Sequence, residues 1–229
     1  MRPLLLINPN TNADTTAAML RLARGAAPTG VRVEAATAPH GAALIHDTAT
    51  LAGGATAVAE VAERTDAAAY AGLIVAAFGD PGMAEIRATC PVPVTGIAEA
   101  GITEAAAGGR RFAIVTTTPG LVPMVRDLVS GYGHAANFLG VHLTAGDAVD
   151  LMSDRPRLER ALARACEVAA AGRAEAVVIG GGPLAEYAGA LRARVGIPII
   201  EPVSAAVRLA SARARTRSPG AVPDPQPHR

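Results

Sequence analysis

The sequence predicts an α/β protein of two similar lobes, on three observations. The first is a doubled phrase: residues 71–98 read AGLIVAAFGDPGMAEIRATCPVPVTGIA, and residues 174–203 read AEAVVIGGGPLAEYAGALRARVGIPIIEPV. Each gives an apolar β-branched run, a turn containing Gly and Pro, a helix opening on Met-Ala-Glu or Leu-Ala-Glu, and a short strand entered through Pro. The second is a matching pair upstream, RPLLLINPNT at 2–11 and RRFAIVTTTP at 110–119. The third is the alternation of strand-length apolar runs with helical stretches, which implies mostly parallel sheets joined by right-handed crossovers. The expected architecture is two pseudo-symmetric Rossmann-like lobes, each a mostly parallel sheet flanked by helices, with a ligand cleft between them. The first lobe is expected at 1–98, completed by the helix near 203–212, and the second at 99–202. A disordered tail is expected at 216–229, where the Pro-rich TRSPGAVPDPQPHR carries no apolar pattern.

The elements follow in order. Leu4–Ile7 is an unbroken apolar run stopped by Asn-Pro-Asn, as suits a parallel strand buried on both faces. Thr11 to Arg24 reads as a helix capped by Thr11 or Asp14, with Met19, Leu20 and Leu22 apolar. Val31–Ala36 alternates like an edge or half-exposed strand, Pro39–Asp47 is a loop holding His40 and His46, and an Ala-rich helix runs from about Thr48 to Ala69. Strand Leu73–Ala77, the turn Gly79–Gly82, helix Met83–Thr89 and strand Pro93–Thr95 complete the first half. The order then repeats: a helix over roughly 99–108, strand Arg111–Val115, a helix from about Leu121 and strand Phe138–Leu143. The amphipathic helix Arg157–Ala171, strand Ala176–Ile179, a helix near Leu184–Arg194, strand Ile197–Ile200 and a closing helix Val203–Ala212 follow.

With 229 residues, half of them apolar, the chain can bury a sizeable core although only 3% are aromatic. A net charge of +1 argues against a nucleic-acid surface, which needs a concentrated basic stripe. No apolar run reaches membrane-spanning length, and MRPLLLINPN is too short for a signal peptide and fits a first buried strand. Two cysteines without regular spacing suggest a cytoplasmic protein lacking structural disulfides. Cys90 falls at the entrance to a strand, at the far end of the sheet from any cleft, and Cys166 lies mid-helix among Leu162, Ala163, Ala169 and Ala170; both read as small buried hydrophobes.

Parallel sheets bind ligands beyond the carboxyl ends of their strands. That rule nominates four turns, Asn8–Thr11, Ala77–Pro81, Thr116–Pro119 and Gly180–Pro183, which the repeat arranges as two facing pairs. The amide and hydroxyl of Asn8 and Thr11 either meet a ligand or serve as turn and cap formers. Thr116, Thr117 and Thr118 either solvate an anion without adding charge or cap the turn before Pro119. Gly180-Gly181-Gly182 misses the dinucleotide fingerprint, because Ala185 stands where the third glycine is needed. It reads better as backbone that approaches a ligand and offers N–H donors. The expected substrate-binding set is thus Asn8, Thr11, Ala77, Phe78, Gly79, Thr116, Thr117, Gly181, Gly182 and Pro183. Among titratable groups, Asp80 is either a base beside the first turn or the cap of the helix starting near Met83. Glu99 is either a base or a first-turn carboxylate favoured by the helix dipole. His46, of the side-chain type best suited to proton exchange near neutral pH, is either a base or a solvated loop histidine. His40 and His142 are further candidates, and Tyr187 reads as packing.

At these turns the sequence resembles the aspartate/glutamate/hydantoin racemase superfamily, in particular its hydantoin and allantoin racemase branch. The matching phrases are INPNT at 7–11, FGDPG at 78–82, PVTGIAEA at 93–100, RFAIVTT at 111–117 and GGGPLA at 180–185, in the family's order and covering about residues 2–210. The resemblance implies two α/β lobes around a cleft, no cofactor or metal, and proton transfer at a carbon next to a carbonyl by two cysteine thiols, one per lobe. At those two positions this chain has Ala77 and Gly181. GAALIHD at 41–47 resembles the family's Gly-Pro-x-Ser-Ile-Glu-Gly segment, with His46 where Glu is usual. Gly181 is expected to use a backbone conformation closed to Cys. Relatives are often oligomers, so a homo-oligomer with a small-molecule substrate is expected, with no nucleic-acid or membrane partner. Two functions stay open. One is a cofactor-independent racemase or isomerase acting on a small carbonyl-rich substrate, hydantoin-like or amino-acid-derived, by non-thiol proton transfer or ring chemistry, with His46, Asp80 and Glu99 as candidate catalytic groups. The other is a catalytically silent metabolite-binding relative, or a lyase or decarboxylase on the same scaffold.

Overall fold

The computed structural model describes residues 2–217. Its strands are β1 (Leu4–Asn8), β2 (Val33–Thr37), β3 (Gly72–Val75), β4 (Val94–Gly96), β5 (Phe112–Thr116), β6 (Phe138–Leu143), β7 (Ala176–Ile179) and β8 (Ile199–Ile200). Its helices are α1 (Ala13–Ala26), α2 (Thr48–Glu63), α3 (Met83–Thr89), α4 (Ile97–Ala106), α5 (Val122–Gly131), α6 (Ala148–Ser153), α7 (Arg155–Ala171), α8 (Ala188–Arg192) and α9 (Pro202–Arg217). Two four-stranded sheets form, ordered β2-β1-β3-β4 and β6-β5-β7-β8, and every pair is parallel. The identical order is the repeat made visible. Fully buried β1, β3, β5 and β7 sit inside the sheets with both faces covered, as their apolar runs require.

Local differences from the sequence reading have local causes. Helix α1 starts two residues late because Asn12, rather than Thr11 or Asp14, caps it, its side chain accepting from the Thr15 amide. Asp147 caps α6, an element without counterpart in the sequence reading. The helix near 184–194 splits into a tight turn at Ala185–Tyr187 and the short α8. Helix α9 runs on through Thr216 and Arg217, so the expected tail does not begin at 216, and residues 218–229 of that segment lie outside the described residues.

The linking helices trade sheets. Helix α4 follows β4 of the first sheet but packs on β7 and β8 of the second, while α9 follows β8 of the second sheet and packs on β1, β3 and β4 of the first. The two helices also pack on each other, closely enough that a side chain at Gly101 would press on Val178 and Pro202. One core cluster therefore runs through the molecule, joining Leu6 and Ile74 to Phe112 and Val178 by way of Ile102 and Val207. Separate clusters fill the outer faces, under α7 on the second sheet and under α2 and α3 on the first.

Carboxylates hold the crossings. Both oxygens of Asp80, in the turn after β3, accept from the first turn of α4, at 2.9 Å from the Ala98 amide and 2.7 Å from the Glu99 amide. Glu201 does the same at α9, accepting from the amides of Val203 at 2.6 Å and Ser204 at 2.8 Å. Arg213 of α9 reaches back with a two-pronged contact to Glu99, 2.8 Å on each arm, and Arg87 donates to the same carboxylate at 2.8 Å. The Asp80 cap leaves no room above Gly96, where an added Cβ would lie 2.1 Å from Asp80 Cγ. Gly96→Ala should thus displace the cap and destabilise the fold by about 3 kcal/mol, as read by urea unfolding; an unchanged midpoint would mean that Asp80 does not hold α4 as described.

Candidate functional site

The carboxyl ends of β1, β3, β5 and β7 open onto one cavity between the lobes, with a volume of about 50 Å³, suited to a small molecule and not to a dinucleotide. The first lobe contributes Asn10, Ala77 and Phe78, and the second contributes Thr116–Thr118 and Gly180–Pro183. Leu44 and Ile45 from the 39–47 loop, Leu121, Val125, Met152 and Leu184 supply apolar walls. None of the described residues lining the cavity is titratable.

The two lobes build their first turns on one plan with different chemistry. In the first, Asn8 is wholly buried; its oxygen accepts from the Asn10 amide at 3.2 Å, and its Nδ2 donates to Asn10 Oδ1 at 2.8 Å and Thr16 Oγ1 at 2.9 Å. In the second, Thr116 Oγ1 accepts from the Thr118 amide at 3.4 Å, lies 2.9 Å from Thr118 Oγ1 and donates to the Gly180 carbonyl at 2.8 Å. In both cases residue i fixes residue i+2, and residue i+2 lines the cavity. Around these side chains the backbone N–H groups of Ala77, Phe78, Thr117 and Gly182 have no partner among the described residues. Such amides, fixed in place before a ligand arrives, stabilise a carbonyl oxygen and, more strongly, the negative charge it gains on enolisation.

Several residues singled out in the sequence stand outside the cavity walls. Asn8 is saturated by its own turn. Thr11 uses its amide to tie the turn to the Ala42 carbonyl at 3.1 Å. Gly79, at φ 147°, packs where a side chain would strike Leu51. His46 is exposed on the loop beside Asp47, its Nε2 3.5 Å from Asp47 Oδ2, although its neighbours Leu44 and Ile45 do reach the cavity. Asp80 is buried under the wall, capping α4 and not the helix at Met83, and also accepts from Tyr132 Oη at 2.6 Å. Glu99 is enclosed by Arg213, Arg87 and the Gly96 amide. His40 pairs with Glu60 on the surface, His142 lies on the edge strand β6, and Tyr187 is buried in the core beneath Arg155. Cys90 sits half-buried at the end of α3, and Cys166 is buried in α7 with its thiol pushed up to about 12 by desolvation; neither lines the cavity. Asn10 and Thr118 do line it, and the sequence signal for both is the same: a polar side chain two residues past the end of a buried strand.

Fold and cavity together define a two-lobed α/β protein with a cavity enclosed between pseudo-symmetric turns. Comparison with known proteins gives the family. The sequence pattern of the Asp/Glu/Hydantoin racemase family matches residues 4–210, and the chain belongs to that family. It is 33% identical over 208 residues to a hydantoin racemase of Rhizobium meliloti, covering 90% of this chain and 86% of that protein. Its structure is similar to allantoin racemase from Klebsiella pneumoniae, with a TM-score of 0.87 and 28% identity over 94% of this chain and 89% of the other. Allantoin racemase from Pseudomonas fluorescens gives a TM-score of 0.88 and 27% identity over 93% of this chain and 91% of the other. Among the described residues no helix is long and apolar enough to cross a membrane.

The buried carboxylates set the acid response of the fold. Burial raises the Asp80 carboxyl from 3.8 to about 6 despite the Tyr132, Ala98 and Glu99 hydrogen bonds. A raised folded-state value means that the folded protein binds this proton more tightly than the unfolded chain. Its contribution to stability is therefore full below the unfolded value and is lost as pH rises through about 6. Burial also pushes Glu99 up, but the hydrogen bonds and charges of Arg213 and Arg87 outweigh it and hold the group below its ordinary value. Its contribution has the opposite sign and is lost as pH falls below the carboxylate range. Urea titrations between pH 4 and 7 should show Asp80→Asn flattening the slope in that window; a slope identical to that of the parent chain would contradict the assignment.

Proposed function

We propose that the cleft binds a small, neutral, carbonyl-rich ring of the hydantoin or allantoin type and promotes inversion at the carbon next to its carbonyl. The observation that carries this is the set of N–H donors at facing turns, unpaired among the described residues, in a cavity whose described walls hold no ionisable side chain. In this reading the C–H bond breaks with its electron pair passing into the carbonyl, whose oxygen takes up the charge beside the amides of Phe78 and Gly182. Water accepts the proton, and water returns one to either face of the planar enolate, giving both stereoisomers without a wall side chain as carrier. The family membership and the hydantoin and allantoin racemases at about 30% identity support the ring class. Charged ligands are disfavoured because the walls offer no counter-charge.

The absence of wall bases makes this a slow catalyst, since each general acid–base group typically contributes about 10²–10⁴ in rate. Calorimetry with hydantoin, allantoin and 5-substituted hydantoins, followed by proton-to-deuterium exchange in deuterium oxide, tests the proposal. Binding with slow exchange at the ring carbon is expected. Absence of binding across the set would end the proposal, and binding without exchange would leave the metabolite-binding reading, which the same missing bases favour.

Introducing thiols offers a gain-of-function check. Gly181 does not have a positive φ, so backbone conformation does not bar Cys there, in contrast to the sequence expectation. The obstacle is Leu184, whose Cγ and Cδ1 lie 3.1 Å from an added Cβ and must move by a few tenths of an ångström. Ala77→Cys combined with Gly181→Cys is expected to raise the exchange rate at least about a hundredfold, one acid–base group's worth, while Cys90→Ser leaves it unchanged. No rise in a folded, ligand-binding double variant would show that the two positions do not face the reacting carbon.

A further inference from the structure

We propose that the cleft reads its occupant with a fixed polarity: Asn10 in the first lobe presents only a donor, Thr118 in the second presents only an acceptor, and the ligand therefore directs a carbonyl to Asn10 and an N–H to Thr118. This rests on the reading of the cleft as a ureide site and sharpens it.

The proton positions follow from the hydrogen bonds. The backbone N–H of Asn12 can only donate, and it meets a side-chain atom of Asn10 at 2.9 Å. That atom must be the carbonyl oxygen, and Asn8 Nδ2 donates to the same atom at 2.8 Å. The NH2 group of Asn10 is what remains. It has no partner among the described residues, on a side chain that lines the cavity.

Across the cleft the logic runs through a single hydrogen. Thr116 Oγ1 carries one, and the Gly180 carbonyl, which can only accept, lies 2.8 Å away and takes it. In the 2.9 Å contact between Thr116 and Thr118, Thr116 must then accept, so Thr118 donates. With its own hydrogen turned inward, the Thr118 hydroxyl has only lone pairs left for the cavity. Asn10 and Thr118 occupy equivalent places in the repeat, RPLLLINPNT against RRFAIVTTTP, so the two halves have acquired opposite hydrogen-bonding character at matching points.

The edge of a cyclic ureide or imide, with C=O beside N–H, satisfies both. A carboxylate brings acceptors alone and sets them against the Thr118 lone pairs, an unpaired arrangement that burial makes costly. Polarity of this kind selects among ligands more sharply than fit does, because a buried group left unpaired is penalised in full.

Calorimetry with hydantoin, its two mono-N-methyl isomers and succinate tests the inference. For the unaltered chain we expect hydantoin to bind, at least one N-methyl isomer to bind about tenfold more weakly or worse, and succinate not to bind. Asn10→Asp keeps the contacts to Asn8 and Asn12 but turns the cavity-facing group into an acceptor, and should weaken hydantoin at least about tenfold. Thr118→Val should abolish the preference for hydantoin over the N-methyl isomer, and Thr118→Ser should keep it. Equal affinity of the unaltered chain for hydantoin and both isomers, or the same preference in folded Thr118→Val, overturns the inference while leaving the ureide reading standing. Failure of hydantoin and its relatives to bind at all overturns both.

Discussion

One buried carboxylate is the point on which the two lobes turn. Asp80 belongs to the loop that leaves the first sheet, yet its three donors come from elsewhere: two amides opening α4, which lies on the second sheet, and the hydroxyl of Tyr132 at the end of α5. The same loop, two and three residues earlier, forms the cleft wall with Ala77 and Phe78. The hydrogen bonds that anchor α4 are thus also the bonds that hold the unpaired amides of the wall in place. The residue takes a left-handed conformation, φ 46°, to reach all three donors, a strain that Asp tolerates better than most side chains. Tight steric exclusion at Gly96 is the other half of this arrangement.

The internal repeat gives the molecule its own control experiment. Strand order, the short strand entered through Pro and the crossing helix are shared, so the cleft has approximate two-fold character in its backbone. The side chains depart from it. Where the first lobe cements its turn with three asparagines, the second uses two threonines, Thr116 and Thr118, and borrows the Gly180 carbonyl. Amides and hydroxyls fill similar space but carry different numbers of donors and acceptors. A symmetric frame thereby holds an asymmetric cavity surface.

Sequence reading reached the frame because the frame is written in contiguous residues. Helix Met83–Thr89 and strands Phe138–Leu143 and Ala176–Ile179 lie where the apolar runs and their Gly and Pro punctuation put them. The cleft followed from the repeat and the strand-end rule. What stayed hidden depends on pairing across distance. Nothing in the sequence around Asp80 points to Tyr132, 52 positions away, so capping the adjacent helix was the natural local reading. Asn8 and Asn10 are chemically alike and two residues apart; only packing reveals that the first is consumed by its own turn while the second lines the cavity. Likewise Glu99 reads as a base or a first-turn helix carboxylate until Arg213 arrives from α9.

That last helix carries a consequence for how the protein comes into being. The face of the first sheet against which α9 packs is built from residues 4–96, but its cover is residues 202–217. During synthesis residues 4–96 must wait, with Leu6 and Ile74 uncovered by α9, until residues 202–217 have been made. Contacts spanning such separations slow folding, because the chain pays the entropy of a long closure before any burial rewards it. The first lobe is therefore not an autonomous folding unit of continuous sequence, and the nascent chain is most vulnerable to wrong association in the interval before the sixteen-residue α9 docks.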